Sequence, residues 1–121
     1  MQIKKIVVVE DEGILSKALS IELLSAGYQV LTANNGEAGL ALVQKELPDL
    51  VLLDLMLPKM NGFDVLAALK KDEATKAIRV IILSNLGQDE DRKKGLALGA
   101  LDYYVKSSTD LSAITEKIKN L

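Results

Sequence analysis

The sequence predicts an α/β fold: a doubly wound, five-stranded parallel sheet covered by helices on both faces, forming a (βα)5 three-layer sandwich. Two observations support this prediction. Five short apolar runs alternate with segments of helical spacing, and no linker, repeat or low-complexity segment interrupts them. The runs are rich in Val, Ile and Leu, which is typical of strands buried on both faces of a sheet. Strands separated by helices pair in parallel, and the crossovers place helices on both faces.

Each predicted strand and helix has its own sequence signals. We expect strands at residues 3–9, 28–33, 50–53, 79–83 and 102–105, and helices at residues 13–26, 37–45, 63–71, 89–98 and from 111 onwards. Gly27 is suited to end the first helix because glycine adopts the left-handed cap conformation at little cost. The Asn-Asn-Gly segment at 34–36 combines turn residues with a candidate N-cap for the second helix.

Apolar spacing predicts how two of the helices face the sheet. The first helix carries two apolar rows, namely Ile14, Ala18 and Ile21, and Leu15, Leu19 and Leu23. The closing helix carries one apolar face of Leu111, Ile114, Ile118 and Leu121. Such spacing of three and four residues is typical of amphipathic helices. The fourth helix opens with the charged segment 89–94 and has only a thin apolar stripe.

Composition limits the class of protein. The 121 residues fit one domain, residues 1–121, and 49% hydrophobic residues are enough for a buried core. A net charge of −2 argues against a chain built to coat nucleic acid or a membrane surface, so we expect neither as a direct partner. The chain has no cysteine, no signal-peptide pattern and no apolar stretch near the roughly 20 residues of a membrane-spanning helix. We therefore expect a cytoplasmic protein.

The chain also has no histidine, so any histidine chemistry must come from a partner.

Four of the apolar runs end at polar residues. Glu10 and Asp11 follow the first strand, Asp54 follows the third, Ser84 follows the fourth and Lys106 follows the fifth. The carboxyl ends of parallel strands lie on one edge of the sheet, where ligands bind. The sequence therefore predicts that three carboxylates, one hydroxyl and one ammonium converge on a single site.

The charge of this predicted site favours a metal ion and a phosphoryl group. Three neighbouring carboxylates repel one another and so raise each other's pKa, and one ammonium offsets only part of this repulsion. A hard divalent cation would relieve the rest. Oxygen ligands without His or Cys indicate Mg²⁺, with Mn²⁺ as a second option. Mg²⁺ commonly binds one or two carboxylates together with a phosphate oxygen.

Each residue can then be given a role in phosphoryl transfer, which chiefly requires positioning and charge neutralisation. Asp54 is the predicted nucleophile, forming an aspartyl phosphate. Glu10 and Asp11 are expected to hold the metal. Lys106 would pair with one phosphoryl oxygen, and Ser84 would donate a hydrogen bond to another.

Four segments in this order carry a family resemblance. They are Val-Val-Val-Glu-Asp-Glu at 7–12, Leu-Leu-Asp-Leu-Met-Leu-Pro-Lys-Met-Asn-Gly at 52–62, Ile-Leu-Ser at 82–84, and Gly-Ala-Leu-Asp-Tyr-Tyr-Val-Lys at 99–106. Along its whole length the chain resembles the receiver domain of two-component response regulators. The stretch that begins at Asp54 is the most specific of the four.

The resemblance implies a fold and a signalling mechanism. It implies the flavodoxin-like strand order 2-1-3-4-5 and Mg²⁺-dependent transfer to Asp54 from a phosphohistidine of a sensor histidine kinase or a phosphotransfer protein. It implies that the backbone carbonyl of Met56 also binds the metal. It further implies that Ser84 moves toward the phosphoryl group while the Tyr103 ring turns inward. This switch would reshape the face of the fourth helix, fifth strand and fifth helix.

That face would control a downstream protein or an output domain. The mixed charges of the fourth helix neither favour nor oppose formation of a homodimer on phosphorylation. The chain would catalyse only its own phosphorylation and dephosphorylation, so no turnover substrate is expected.

Two departures from the family pattern concern the site. Ser107 stands where proline usually follows the lysine through a cis peptide, and a cis bond before a non-proline residue costs about 3 kcal/mol. We therefore predict a trans Lys106–Ser107 bond. Asn85 stands where alanine is common, and it would narrow access to Asp54 or add a hydrogen bond.

Two further residues bear on how long a phosphoryl group persists. Met56 and Leu86 match family positions that flank the path of the hydrolytic water. Both are apolar and cannot orient a water molecule. We hypothesise that phosphorylated Asp54 is long-lived.

Simpler interpretations exist for each residue alone. Asp54 alone is explained by a loop cap, the acidic segment 10–12 by the macrodipole of a helix, and Lys106 by a solvated surface lysine. Their coincidence at the ends of four strands favours a common site.

Three other functions are alternatives to the signalling switch. A docking module that takes no phosphoryl group would be expected to lack one of the acids of the site, or Asp54 itself, or Lys106. A flavodoxin-like cofactor binder would need a phosphate loop after the first strand and more than 3% aromatic residues. A turnover phosphatase with an aspartate nucleophile usually has a second acid two residues later, where Met56 stands.

Overall fold

A computed structural model describes residues 2–121, in which five strands and five α-helices alternate. The strands are β1 (Lys5–Val9), β2 (Gln29–Ala33), β3 (Leu50–Leu53), β4 (Arg79–Ser84) and β5 (Asp102–Val105). The helices are α1 (Gly13–Ser25), α2 (Gly36–Glu46), α3 (Gly62–Lys71), α4 (Asp89–Ala97) and α5 (Leu111–Lys119). Each predicted element is confirmed, with small shifts at its ends. A short 3-10 turn at Lys106–Ser108, which we did not predict, joins β5 to α5.

The sheet is parallel throughout and has the order β2-β1-β3-β4-β5. The predicted order is therefore confirmed. Val9 pairs with Leu53 across the central strands, so the residues that follow them leave the sheet side by side. Ser84 at the end of β4 pairs with Val105 at the end of β5. These registers bring the predicted site residues to one edge of the sheet.

Two buried cores lie on opposite faces of the sheet, because successive strand side chains point in opposite directions. Val7 and Val51 belong to the core that packs beneath α2 and α3. Val8 and Leu52 belong to the other core, which α1 and α5 cover. The apolar face predicted for α5 contributes all four of its residues to this second core, with Ile114 and Ile118 buried.

The two apolar rows of α1 have different environments. Leu19 and Leu23 are buried against the sheet, as the second row predicts. In the first row, however, Ile14 is 90% exposed and Ile21 is 56% exposed. The sheet and α5 cover only one side of the helix, and apolar residues on α1 extend beyond that side. Spacing alone does not show which of two adjacent apolar rows is covered.

Local signals explain where several helices begin and end. Gly27 has a φ of +96°, the left-handed conformation expected after α1. The Asn35 side chain accepts a hydrogen bond from the Ala38 N–H at 2.8 Å and so caps α2. Asn61 caps α3 in the same way. Among residues 2–121, no helix combines the length and the apolar character needed to span a membrane.

Candidate functional site

The Lys106 side chain lies between two carboxylates, one from the residue that follows β1 and one from the residue that follows β3. Its Nζ atom is 2.7 Å from Glu10 Oε1 and 2.9 Å from Asp54 Oδ2. The side chains of these three residues are 8%, 2% and 3% exposed, respectively. An ammonium is thus buried between two buried carboxylates that are far away in the chain. Such a group is not a solvated surface lysine.

The backbone at the ends of β1 and β3 positions the two carboxylates. The Asp54 N–H donates to the Val9 carbonyl at 3.0 Å, which extends the pairing of β3 with β1 by one residue. The Glu10 N–H donates to the Ala33 carbonyl at 3.0 Å, which extends the pairing of β1 with β2. Both residues therefore leave the sheet from fixed backbone positions, while Lys106 reaches them from the end of β5.

The acidic residues at this edge form a set of possible metal ligands. One carboxylate oxygen from each of Glu10, Asp11 and Asp54 lies within 4.8 Å of the other two. Glu10 and Asp54 are buried and Asp11 is exposed, so the set opens to solvent on one side. An all-oxygen, carboxylate-rich set fits a hard divalent cation such as Mg²⁺ or Mn²⁺. Binding by the Met56 carbonyl stays a prediction.

Burial and hydrogen bonding oppose each other in the pKa values of this cluster. Burial raises the pKa of Glu10 to about 7, although hydrogen bonds from Lys106 and from the Glu12 N–H act in the opposite direction. Burial lowers the pKa of Lys106, but hydrogen bonds to Glu10 and Asp54 outweigh it, so this pKa is raised above its ordinary value. Lys106 is therefore cationic at neutral pH and balances the charge of the carboxylates.

A cavity of about 190 Å³ opens beside Asp54. Its lining consists of Asp11, Glu12, Asp54, Met56, Asn85 and Lys106. Met56 is 57% exposed, and its backbone N–H donates to Asp54 Oδ1 at 3.2 Å. Asn85, which also lines the cavity, is exposed, whereas Leu86 is half-buried and packs against the core. A larger cavity, of about 330 Å³, lies near Gln2, Tyr28 and Lys119 and includes none of the predicted site residues.

The two predicted switch residues both contact the segment that follows β4. Ser84 is fully buried, and its Oγ accepts a hydrogen bond from the Leu86 N–H at 3.3 Å. The Tyr103 ring points inward and is 2% exposed, and its hydroxyl donates a hydrogen bond to the Leu86 carbonyl. The Arg92 guanidinium lies 5.9 Å from the centre of the Tyr103 ring. Leu86 thus connects the Ser84 hydroxyl at the end of β4 with the Tyr103 ring beneath α4.

The turn at Lys106 forms with serine where the family usually has proline. The Lys106–Ser107 bond is trans, which confirms that prediction. The 3-10 turn at Lys106–Ser108 follows, and the Ser108 hydroxyl donates to the Val105 carbonyl at 3.5 Å. α5 begins at Leu111, the first residue of the predicted apolar face.

Glu12 is a site residue that the sequence did not single out. Its Oε1 atom lies 3.6 Å from Lys106 Nζ, and it lines the cavity beside Asp54. Its position next to Glu10 and Asp11 was visible in the sequence. The direction of its side chain was not, because an acid at the start of a helix ordinarily interacts with that helix.

A parallel sheet of this order with a buried acid–lysine pair at its carboxyl edge defines the class of two-component receiver domains. Residues 6–119 match the response regulator receiver domain family, and the chain belongs to that family. Receiver domains bind Mg²⁺ at an acidic pocket, and the cluster of Glu10, Asp11 and Asp54 fits such a site.

Similar proteins include transcriptional regulators and solved receiver domains. The chain is 44% identical over 105 residues to the probable transcriptional regulator ycf27 of Porphyra purpurea, covering 87% of this chain and 42% of that protein. It is 44% identical over 102 residues to the DNA-binding dual master transcriptional regulator RpaA of Synechocystis sp., covering 84% and 42%. The chain therefore spans less than half the length of these relatives.

Among solved structures, a CheY-like response regulator receiver domain protein from Methanospirillum hungatei superposes with a TM-score of 0.90 at 28% identity, covering 98% of this chain and 93% of that one. The BeF3-activated receiver domain of Klebsiella pneumoniae RstA gives a TM-score of 0.88 at 27% identity, with 97% of each chain covered.

Proposed function

We propose that the chain is a phosphorylation-activated signalling switch in which Asp54 accepts a phosphoryl group from a histidine kinase or a phosphotransfer protein. The observation that carries this proposal is the buried Asp54–Lys106 pair, 2.9 Å apart, at a cavity open to solvent. A carboxylate nucleophile needs access to its donor, and the cavity supplies it. The lack of histidine in this chain agrees with a donor on another protein.

The transfer uses few protein groups. An Asp54 carboxylate oxygen attacks phosphorus, the O–P bond forms as the N–P bond of the phosphohistidine breaks, and the imidazole leaves. Lys106 exchanges its contact with Asp54 for one with a phosphoryl oxygen, and Ser84 donates its hydroxyl hydrogen to another. Mg²⁺ held by Glu10, Asp11 and Asp54, with the Met56 carbonyl, would supply positive charge for the phosphoryl oxygens.

The contacts of the segment after β4 suggest a route by which phosphorylation of Asp54 would displace α4. Movement of Ser84 toward the phosphoryl group would shift Leu86, which holds the Tyr103 hydroxyl. α4 buries only a glycine, Gly95, against the sheet, so few apolar contacts resist its displacement. The segment 84–86 and the Tyr103 ring would therefore transmit the change to α4.

The face of α4, β5 and α5 is the proposed surface for the output. Asp102 on β5 lies 3.9 Å from Arg92 on α4 and 3.4 Å from Lys117 on α5. These ion pairs join the three elements at an exposed surface, so a shift of α4 changes the charges presented to a partner. We propose that residues 1–121 act as one receiver unit in the cytoplasm and control a downstream protein or output domain, with homodimer formation as one form of output. Direct contact of this unit with nucleic acid or membrane is not part of the proposal.

Acetyl phosphate with Mg²⁺ tests the proposed phosphoacceptor. We expect the intact protein to gain the mass of one phosphoryl group, and Asp54→Ala to gain none. Asp89→Ala, which removes an exposed acid on α4, is the matched control and should gain the group normally. Absence of the gain in the wild type, or its persistence in Asp54→Ala, would contradict the proposal. The same result would separate a docking module from a phosphorylated switch.

A further inference from the structure

The Glu12 carboxylate faces the site instead of its own helix. Glu12 occupies the N-cap position of α1, yet among the described residues its side chain makes no capping hydrogen bond. Its backbone N–H donates to Glu10 Oε2 at 3.0 Å, which ties the start of α1 to the acidic cluster. Its Oε1 atom lies 3.6 Å from Lys106 Nζ. The side chain thus extends toward the ammonium that pairs with the phosphoacceptor.

Glu12 differs from the other two partners of Lys106 in exposure and distance. Glu10 and Asp54 are 2% and 3% exposed and lie within hydrogen-bond distance of the ammonium. Glu12 is 56% exposed and 3.6 Å away, which is an electrostatic contact and not a hydrogen bond. It is therefore the solvent-exposed partner of Lys106, at the mouth of the cavity that it lines.

Phosphoryl transfer changes what Lys106 must contact. The Asp54 carboxylate becomes the carbonyl and the bridging oxygen of an acyl phosphate, and the negative charge moves outward onto the phosphoryl oxygens. Lys106 then has to leave Asp54 Oδ2 for an oxygen in the cavity that Glu12 lines. A carboxylate held at that mouth competes with the phosphoryl oxygens for the same ammonium.

We infer that Glu12 is a positioning residue that holds the Lys106 ammonium at the cavity mouth and thereby restrains phosphorylation of Asp54. The inference rests on the proposed function, and it adds a residue that sets how readily the switch is phosphorylated. It predicts that removing the Glu12 charge frees Lys106 for the phosphoryl group. The increase in phosphorylation rate should be of the size expected when one solvent-exposed ion pair is removed.

The first experiment compares Glu12→Gln with wild type at saturating Mg²⁺. We expect acetyl phosphate to phosphorylate Glu12→Gln about 2- to 5-fold faster. The affinity for beryllofluoride with Mg²⁺, followed by NMR, should rise by a similar factor without any covalent step. Glu37→Gln is the matched control, since Glu37 is an exposed glutamate in the first turn of α2. It should leave both quantities unchanged. Equal rates and affinities for Glu12→Gln and wild type would overturn the inference.

The second experiment tests whether Glu12 acts through Lys106. In a Lys106→Met background, with Lys106→Gln as a second background, Glu12→Gln should no longer change the affinity for beryllofluoride. If the gain persists in both backgrounds, Glu12 acts by direct repulsion, and the inference is wrong. Failure of the wild type to take a phosphoryl group would instead refute the proposed function, while the beryllofluoride affinities still decide the role of Glu12.

Discussion

Gly62, the first residue of α3, lies directly against the backbone of Asp54. A Cβ atom at Gly62 would be 2.2 Å from the Asp54 carbonyl oxygen and 2.6 Å from the Cα atom of Leu55. The Gly62 N–H donates to the Leu55 carbonyl at 2.9 Å, so the two segments are also hydrogen-bonded. The start of α3 therefore holds the backbone that carries the candidate phosphoacceptor.

Gly62→Ala should damage both stability and the site. The added methyl group meets backbone atoms, which cannot rotate aside as a side chain does, so either α3 or residues 54–55 must move. We expect the free energy of unfolding in urea to fall by about 3 kcal/mol and phosphorylation by acetyl phosphate to slow. Gly13→Ala is the control, because nothing lies within 4 Å of a Cβ at Gly13. Equal stability of the two variants would contradict this account.

The sequence was sufficient for the fold and for much of the site. Runs of Val, Ile and Leu indicated buried parallel strands, and the acids and lysine at their ends indicated a shared edge. In the structure the Lys106 ammonium lies within hydrogen-bond distance of both Glu10 and Asp54, a convergence that this pattern predicts. Order along the chain and strand direction are enough to infer such a convergence.

The sequence does not predict features that depend on the direction of a side chain or on the close approach of two backbone segments. The exposure of Ile14 depends on which side of α1 the sheet covers, and spacing does not show it. The turn of Glu12 toward Lys106 depends on the path of the β1–α1 connection. The contact of Gly62 with Asp54 depends on the course of the eight-residue loop 54–61, and the sequence indicated only a turn there.

Asp49 should make stability depend on pH at the acidic end. Its Oδ2 atom accepts the N–H groups of Lys4 and Lys5, each at 2.9 Å, at the start of β1. The backbone hydrogen bond from Lys5 is the main cause that lowers the pKa of Asp49. A carboxyl whose pKa is lower in the folded state stabilises the fold above its unfolded pKa, about 3.9. That contribution disappears as the pH falls through the folded pKa.

Asp49→Ala is therefore expected to lower the free energy of unfolding by about 1 kcal/mol at pH 7. The difference from wild type should shrink below about pH 4, as Asp49 becomes protonated in the wild type. Asp49→Asn keeps an acceptor oxygen without the charge, so it separates the two effects. Urea titrations across this pH range provide the measurement, and a difference that does not change with pH would exclude a role of the charge.

Lys106 should stabilise the protein most when no metal ion is present. Glu10 and Asp54 are almost fully buried, and in the described part of the chain Lys106 is the only cation that contacts either of them. Lys106→Met leaves both carboxylates unpaired, which should cost about 3 kcal/mol of unfolding free energy in metal-free buffer. Added Mg²⁺ should stabilise the variant more than the wild type, because the cation then has no competing ammonium.

Lys93→Met, which removes an exposed lysine of α4, is the control for the loss of one positive charge. Urea unfolding of both variants with and without Mg²⁺ supplies the measurement. A Lys106→Met protein as stable as wild type without metal would show that the cluster does not depend on this ammonium.

Met56 should prolong the lifetime of a phosphoryl group on Asp54. Its side chain is 57% exposed at the wall of the cavity beside Asp54, and a thioether orients a water molecule poorly. Met56→Asn places an amide there, which can hold a water for attack on phosphorus, so the acyl phosphate should decay about fivefold faster. Met56→Leu keeps an apolar wall and should decay like wild type. Mass spectrometry after removal of acetyl phosphate follows the decay, and an Asn variant that decays equally fast or more slowly would show that this wall does not control hydrolysis.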